Sequence, residues 1–295
     1  MCERATPIIS TATPARPSTR IVLLDAISPP YRGVGLSCYT SPSSHSSSHA
    51  PVPSNQDKLE PVCGRVALFS PPARLARFLD AALAAGLDPD GHPSWNVGPQ
   101  RRLFGVSEHD TKRVLDRYRW GLVPSWAKDP KIGNKLFNAR GETVAEKPSF
   151  RSAFAKRPCV IPVDGFYEWD HRPGRKRQPN FFTRTNDDPL LLAGLYEHWR
   201  NPDDPDAEPV ATCTIITTTP SVDMDEIHDR MPVVLSTHDV ETWLNVTDYG
   251  PDERLLLLRP APKGTLTHYG VGTAVGSVKN DGPELTEPVD PQSLF

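Results

Sequence analysis

Four polar residues stand in otherwise apolar or basic surroundings: Cys63 in "VCGRVALF", Asn138 in "LFNARGET", Glu168 in "GFYEWD" and His228 in "IHDRMP". Together they are the types from which covalent catalysis is built: a nucleophile, a carboxylate and an imidazole to move protons, and an amide to orient a reacting group. Singly, each has a plainer use. Cys63 suits a small core position in a strand, and Asn138 a turn or cap. Glu168 suits the solvent side of an alternating strand, and His228 the end of a short helix. Arg65, Arg140 and Arg230 flank these positions, and their forked donors suit phosphates. Trp126 offers a face on which a base can stack, whereas Trp169 reads as core packing.

The chain around them bounds what that chemistry serves. It has 295 residues and a net charge of −3, so any nucleic-acid contact rests on a local patch rather than a global field. The five cysteines (Cys2, Cys38, Cys63, Cys159, Cys213) are odd in number and form no CxxC pair. That argues against a disulfide framework or zinc ribbon and for a reduced, cytoplasmic chain. No ligand spacing for a metal and no cofactor motif is present. No apolar run is long enough to span a bilayer, and the start lacks a secretory pattern.

Residues 1–62 are rich in Pro, Ser, Thr and Ala, with "SPSSHSSSHAPVPS" at 41–54, and read as a disordered extension. Residues 63–290 read as the folded domain and 291–295 as a tail. In the domain, "VCGRVALF", "RVLDRYRW", "PLLLAGLYEHW", "VATCTIITTT" and "MPVVLS" predict strands, and "PCVIPVDGFYEW" predicts two strands about a turn at Asp164-Gly165. The strongest helix expected is 70–86, with Ser70 as N-cap, Pro71 at its first position, an apolar stripe of Leu75, Phe78, Leu79, Ala82 and Leu83, and Gly86 as its stop. Shorter helices are expected in 147–157, 221–228, 237–244 and 252–258. The stretch after 275 reads as irregular surface chain. Strands outnumber helices without a βαβ rhythm, which predicts an α+β fold with a mostly antiparallel, barrel-like β core and short flanking helices.

At this level of detail the chain resembles the SRAP family, the SOS response-associated peptidases or abasic-site-processing proteins. The matching pieces are "CGR" at 63–65, "WNVGPQ" at 95–100, "WGLVPSW" at 120–126, "FNARGET" at 137–143, "CVIPVDGFYEW" at 159–169, "IHDRMPVVLS" at 227–236 and "AVGSVKNDGPEL" at 274–285. The resemblance implies covalent capture of abasic sites in single-stranded DNA by a monomer without a cofactor. An N-terminal cysteine carries amine and thiol on adjacent carbons. Its amine forms a Schiff base with the sugar aldehyde, and its thiol closes onto the same carbon as a thiazolidine, a fast intramolecular step. Carried over by position, Cys63 is the crosslinking residue, Asn138 holds the amine or ring, Glu168 shuttles protons, and His228 is the acid/base at the sugar oxygen. Arg65, Arg140 and Arg230 hold phosphates, Trp126 and Pro99 lie beside bases, and Thr217 donates to a phosphate.

One feature departs from the family pattern. Family members begin Met-Cys-Gly-Arg, whereas Cys63 follows Val62 in mid-chain. Its nitrogen is then an amide, which forms no Schiff base. Three readings compete: a true start at Val62, since valine codons can serve as bacterial start codons; cleavage between Val62 and Cys63; or a retained extension and non-covalent DNA binding. Cys2 would also become N-terminal after loss of Met1, but "CERATP" lacks the Gly-Arg. A cysteine peptidase with Cys63 as nucleophile and His228 as base is the alternative from another class.

Overall fold

The computed structural model describes residues 63–170, 172 and 177–290. The expectations of a disordered 1–62 and a tail at 291–295 lie outside the described residues. In chain order the elements are β1 Val66–Leu68, α1 Pro72–Phe78, β2 Ala82–Leu83, β3 Ser94–Val97, β4 Arg102–His109, β5 Lys112–Trp120, β6 Asn138–Arg140, α2 Arg151–Lys156, β7 Pro158–Val163, β8 Gly165–Trp169, β9 Pro179–Arg184, β10 Leu190–Trp199, β11 Val210–Thr218, β12 Met231–Pro232, β13 Val234–Leu235, α3 Asp239–Leu244, α4 Pro251–Leu255 and β14 Leu266–Gly270.

They form two sheets. In the larger, β11, β10, β7, β4 and β5 pair in turn, and β5 pairs back onto β11 in parallel through Thr212↔Arg119 and Cys213↔Trp120. That last pairing closes a ring of five strands. The barrel-like core expected from the strand-rich sequence is therefore present, and closure removes the open edges a flat sheet would expose. The apolar runs of β7 and β10 are buried along their length except His198, which fits strands covered on both faces. The smaller sheet runs β14-β9-β8-β1-β3, all antiparallel.

The turn at Asp164-Gly165 is where the chain passes from barrel to smaller sheet, so β7 and β8 are neighbours in sequence but not a hairpin. Asp164 accepts the backbone N–H groups of Phe69 and Ser70 at 2.7 and 2.8 Å, closing off the end of β1. Gly165 is required by space. A Cβ there would stand 2.4 Å from the Phe181 ring and 2.7 Å from the Phe182 carbonyl oxygen.

Three element expectations need correction. The long helix at 70–86 is only Pro72–Phe78, with Pro71 rather than Ser70 as N-cap, because the Ser70 hydroxyl is spent on Asp164. Asp80, left-handed at φ +51°, ends the helical run, and Arg113 takes the Leu79 carbonyl. Ala82 and Leu83 then pair with Val114 and Leu115 as a strand, a tertiary gain that overrides their helix propensity. Residues 221–228 form consecutive turns instead of a helix; Asp223 turns outward to the N–H groups of Gly264 and Leu266. "MPVVLS" splits at Pro232–Val233, with β12 on β11 and β13 on β10. The chain after 275 is irregular as expected, but Val275 and Leu285 anchor it by burial.

Candidate active site

The register of the small sheet brings the first two candidate residues together. β1 runs antiparallel to β8 with Val66 opposite Phe166 and Ala67 opposite Gly165, and the Tyr167 N–H reaches the Arg65 carbonyl at 2.9 Å. Continuing that register carries the chain before Arg65 to the level of Glu168. The Cys63 backbone nitrogen lies 2.5 Å from Glu168 Oε1. Cys63 is fully buried and takes a left-handed backbone at φ +48°, uncommon for a residue with a side chain. It therefore precedes β1 rather than lying within it.

Glu168 is 2 % exposed, so it is not the solvent-side strand residue its position allowed. Burial pushes its carboxyl up to about 8, against the pull of the Cys63 N–H and thiol; the Asp229 carboxylate adds to the rise. The Cys63 thiol is pushed well above its ordinary value, first by burial and then by Glu168. One buried carboxyl thus touches both the nitrogen and the thiol of the same cysteine, and it is poised near neutrality for proton transfer.

His228 is buried at the end of the turns 221–228. Arg172, just past β8, forks onto Asp170 and reaches Glu226 at 3.7 Å, tying this segment to the end of the strand that carries Glu168. His228 Nδ1 faces a donor and an acceptor: the Arg230 N–H at 3.0 Å and Asp229 Oδ1 at 3.0 Å. The neutral ring accepts from Arg230, and the imidazolium donates to Asp229, so the ring has a partner in either state.

Asn138, Arg140 and Thr217 lie on β6 and β11. These strands pair in parallel, Ile215↔Asn138, Ile216↔Ala139 and Thr217↔Arg140. Ala139 points into the core, which places Asn138 and Arg140 on the opposite face. Thr217 is only 2 % exposed, and its hydroxyl donates to the Ala139 carbonyl at 3.4 Å while accepting from Arg230 Nη2 at 3.1 Å. In this arrangement it supports Arg230 rather than facing solvent. Arg65 is also largely committed: Nη1 donates to Asn96 Oδ1 at 2.8 Å and to the Val275 carbonyl at 2.6 Å, and the guanidinium lies 5.9 Å over the Trp169 ring. Arg65 and Asn96 together pin the irregular chain at 275–280. Trp126 is 58 % exposed with only a 3.4 Å bond to the Pro148 carbonyl, an aromatic face open to a stacking partner. Pro99 is half-buried in the turn after β3.

Residues 62–278 match the family of SOS response associated peptidases (SRAP). The chain belongs to that family. Abasic site processing protein YoqW of Bacillus subtilis is 41 % identical over 231 residues, covering 77 % of this chain and 99 % of that protein. Abasic site processing protein HMCES of Gallus gallus is 36 % identical over 229 residues, covering 67 % of each chain. Among solved structures, a Bordetella bronchiseptica protein matches with a TM-score of 0.59 and 26 % identity over 71 % of this chain and all of that one. A Bacteroides thetaiotaomicron protein shares the fold with a TM-score of 0.67 over 77 % of this chain and all of that one.

Sequence reasoning missed two acidic residues that the structure places against the candidate residues. Asp229 lies between His228 and Arg230 and bears on both His228 and Glu168. Glu142 forks onto Arg230 at 2.7 and 3.0 Å. Both sit inside motifs already singled out, "IHDRMP" and "FNARGET". Their signal was a carboxylate one or two positions from a candidate arginine.

Proposed function

We propose that this protein captures abasic sites in single-stranded DNA covalently, through Cys63, once the Cys63 nitrogen is an amine rather than an amide. The observation that carries this reading is Glu168 Oε1 at 2.5 Å from that nitrogen, with the thiol of the same residue against the same carboxyl. Capture needs protons moved at those two atoms. The amine adds to the sugar aldehyde and water leaves, giving a Schiff base. The thiol sulfur then bonds to the imine carbon, and the thiol proton ends on the nitrogen. Glu168, a buried carboxyl against both atoms, can give a proton to the departing hydroxyl, which leaves as water, and take one from the thiol. His228 serves the sugar oxygen, and Asn138 and Arg140 share one face of β6 from which to meet amine and phosphate.

A true start at position 62 followed by loss of that initiator residue, or hydrolysis of the Val62–Cys63 bond in the longer chain, would each supply the amine. A peptidase acting on other proteins through a Cys63 thiolate fits less well. Burial and Glu168 both disfavour that thiolate, and the group against the thiol is a carboxyl. In the proposed reading the protein works as a monomer, in the cytoplasm, on damaged single strands.

The test compares the full chain with protein whose first residue is Cys63. Each is incubated with single-stranded DNA carrying one abasic site and resolved on a denaturing gel. The reading expects a stable adduct from the protein that begins at Cys63, lost in Cys63→Ala, and none from a chain that retains residue 62. An adduct that survives Cys63→Ala would sink it.

A further inference from the structure

Glu142 is given no step in the capture chemistry, yet it occupies Arg230, one of the arginines assigned to DNA phosphates. Arg230 Nη1 donates to Glu142 Oε1 at 2.7 Å and Nη2 to Oε2 at 3.0 Å, an end-on fork of the kind arginine also offers a phosphate. Nη2 donates in addition to the Thr217 carbonyl at 2.8 Å and hydroxyl at 3.1 Å. The hydrogens left over, on Nε and on the outer side of Nη1, point to opposite flanks of the planar group and make no second fork.

Local structure explains how Glu142 comes to be there. It follows β6 in the 3-10 turn Gly141–Thr143. A Cβ on Gly141 would stand 3.3 Å from the Thr217 carbonyl, so glycine lets the turn press against the end of β11 where Arg230 is held. Arg230 and, more weakly, Arg140 hold the Glu142 carboxyl below the usual carboxylate range. Glu142 therefore offsets one positive charge on this edge, that of Arg230. Its side chain is 46 % exposed and has open water to swing into.

We propose that Glu142 is an internal phosphate surrogate: it holds Arg230 in the DNA-free protein, is exchanged for a backbone phosphate when a strand docks, and so weakens docking and sets its salt sensitivity. This rests on the single-stranded DNA reading above. A carboxylate that stayed in place would leave Arg230 without a fork for phosphate and would repel it.

The test uses the full chain and a fluorescent single-stranded oligonucleotide without an abasic site, so crosslinking plays no part. Glu142→Gln is expected to tighten Kd about threefold to tenfold at low salt, and to steepen the dependence of log Kd on log salt by roughly one phosphate contact. In an Arg230→Gln background the same change is expected to gain much less, because no fork remains to be released. Weaker or unchanged binding by Glu142→Gln overturns the exchange and makes Glu142 a fixed support of Arg230. So does a gain undiminished in the Arg230→Gln background, which is generic charge removal. If the unmodified protein binds no oligonucleotide, the single-strand reading fails and the exchange fails with it; either adverse pattern on top of measurable binding sinks the exchange alone.

Discussion

The Cys63 nitrogen and Glu168 Oε1, 105 positions apart in the chain, meet at 2.5 Å. The meeting is a product of register. β1 and β8 pair antiparallel, so the chain just before β1, where Cys63 lies, is delivered to the closing end of β8. The contact places a proton carrier on one of the two atoms that an aminothiol uses, and the fold provides it before any substrate arrives.

Glu168→Gln keeps the shape of the side chain and removes its proton. In protein that begins at Cys63, the rate of adduct formation is expected to fall by about 10²- to 10⁴-fold, the usual contribution of a positioned acid/base. Stopped time courses on denaturing gels measure this. A variant that crosslinks at the parent rate would assign proton transfer to another group.

The raised pKa of Glu168 also makes stability depend on pH. The folded state holds this proton up to about pH 8, whereas the unfolded chain releases it near the ordinary 4.5. Between those values the folded state binds more protons, so stability falls as pH rises across this window. Urea titrations of the full chain from pH 5 to 8 are expected to show that decline, on the order of a few kcal/mol. Glu168→Gln is expected to flatten it.

Asp229 adds to the upward push on Glu168 and is an ion-pair partner for the imidazolium form of His228. Asp229→Asn is therefore expected to move the Glu168 titration toward lower pH and to weaken protonation of His228. Proton-carbon NMR of the His228 ring and the carboxyl resonance of Glu168 report the two shifts separately. A loss of activity with neither resonance moved would mean that Asp229 acts only by shaping the turn.

Trp126 and Gly165 should separate binding from folding. Trp126 is exposed, so Trp126→Ala is expected to leave Tm within a degree or two while single-strand affinity falls by about 1–3 kcal/mol, the worth of one stacked base. Gly165→Ala pushes a methyl into Phe181 and the Phe182 carbonyl. It is expected to lower stability by about 1–3 kcal/mol. Thermal melts and oligonucleotide titrations on both variants check the contrast.

The sequence by itself determined the residue types of the site, the motifs that carry them and the strand-rich class of the fold. Each of these is written locally, in alternating or continuous apolar runs and in short polar motifs. It also located the departure at Val62–Cys63. The tertiary structure alone decided which candidates meet. For Glu168 the sequence left an outward strand position open beside a proton-carrying role, because period-two alternation cannot say what covers a face; packing buried it. Ala82 and Leu83 read as helix because their gain comes from pairing with β5, a contact outside any local window. Arg65, Thr217 and Arg230 read alike as free donors, yet burial and partners had already committed much of their hydrogen bonding to Asn96, Ala139 and Glu142. Long-range register and desolvation set these outcomes, and neither is legible in the order of residues.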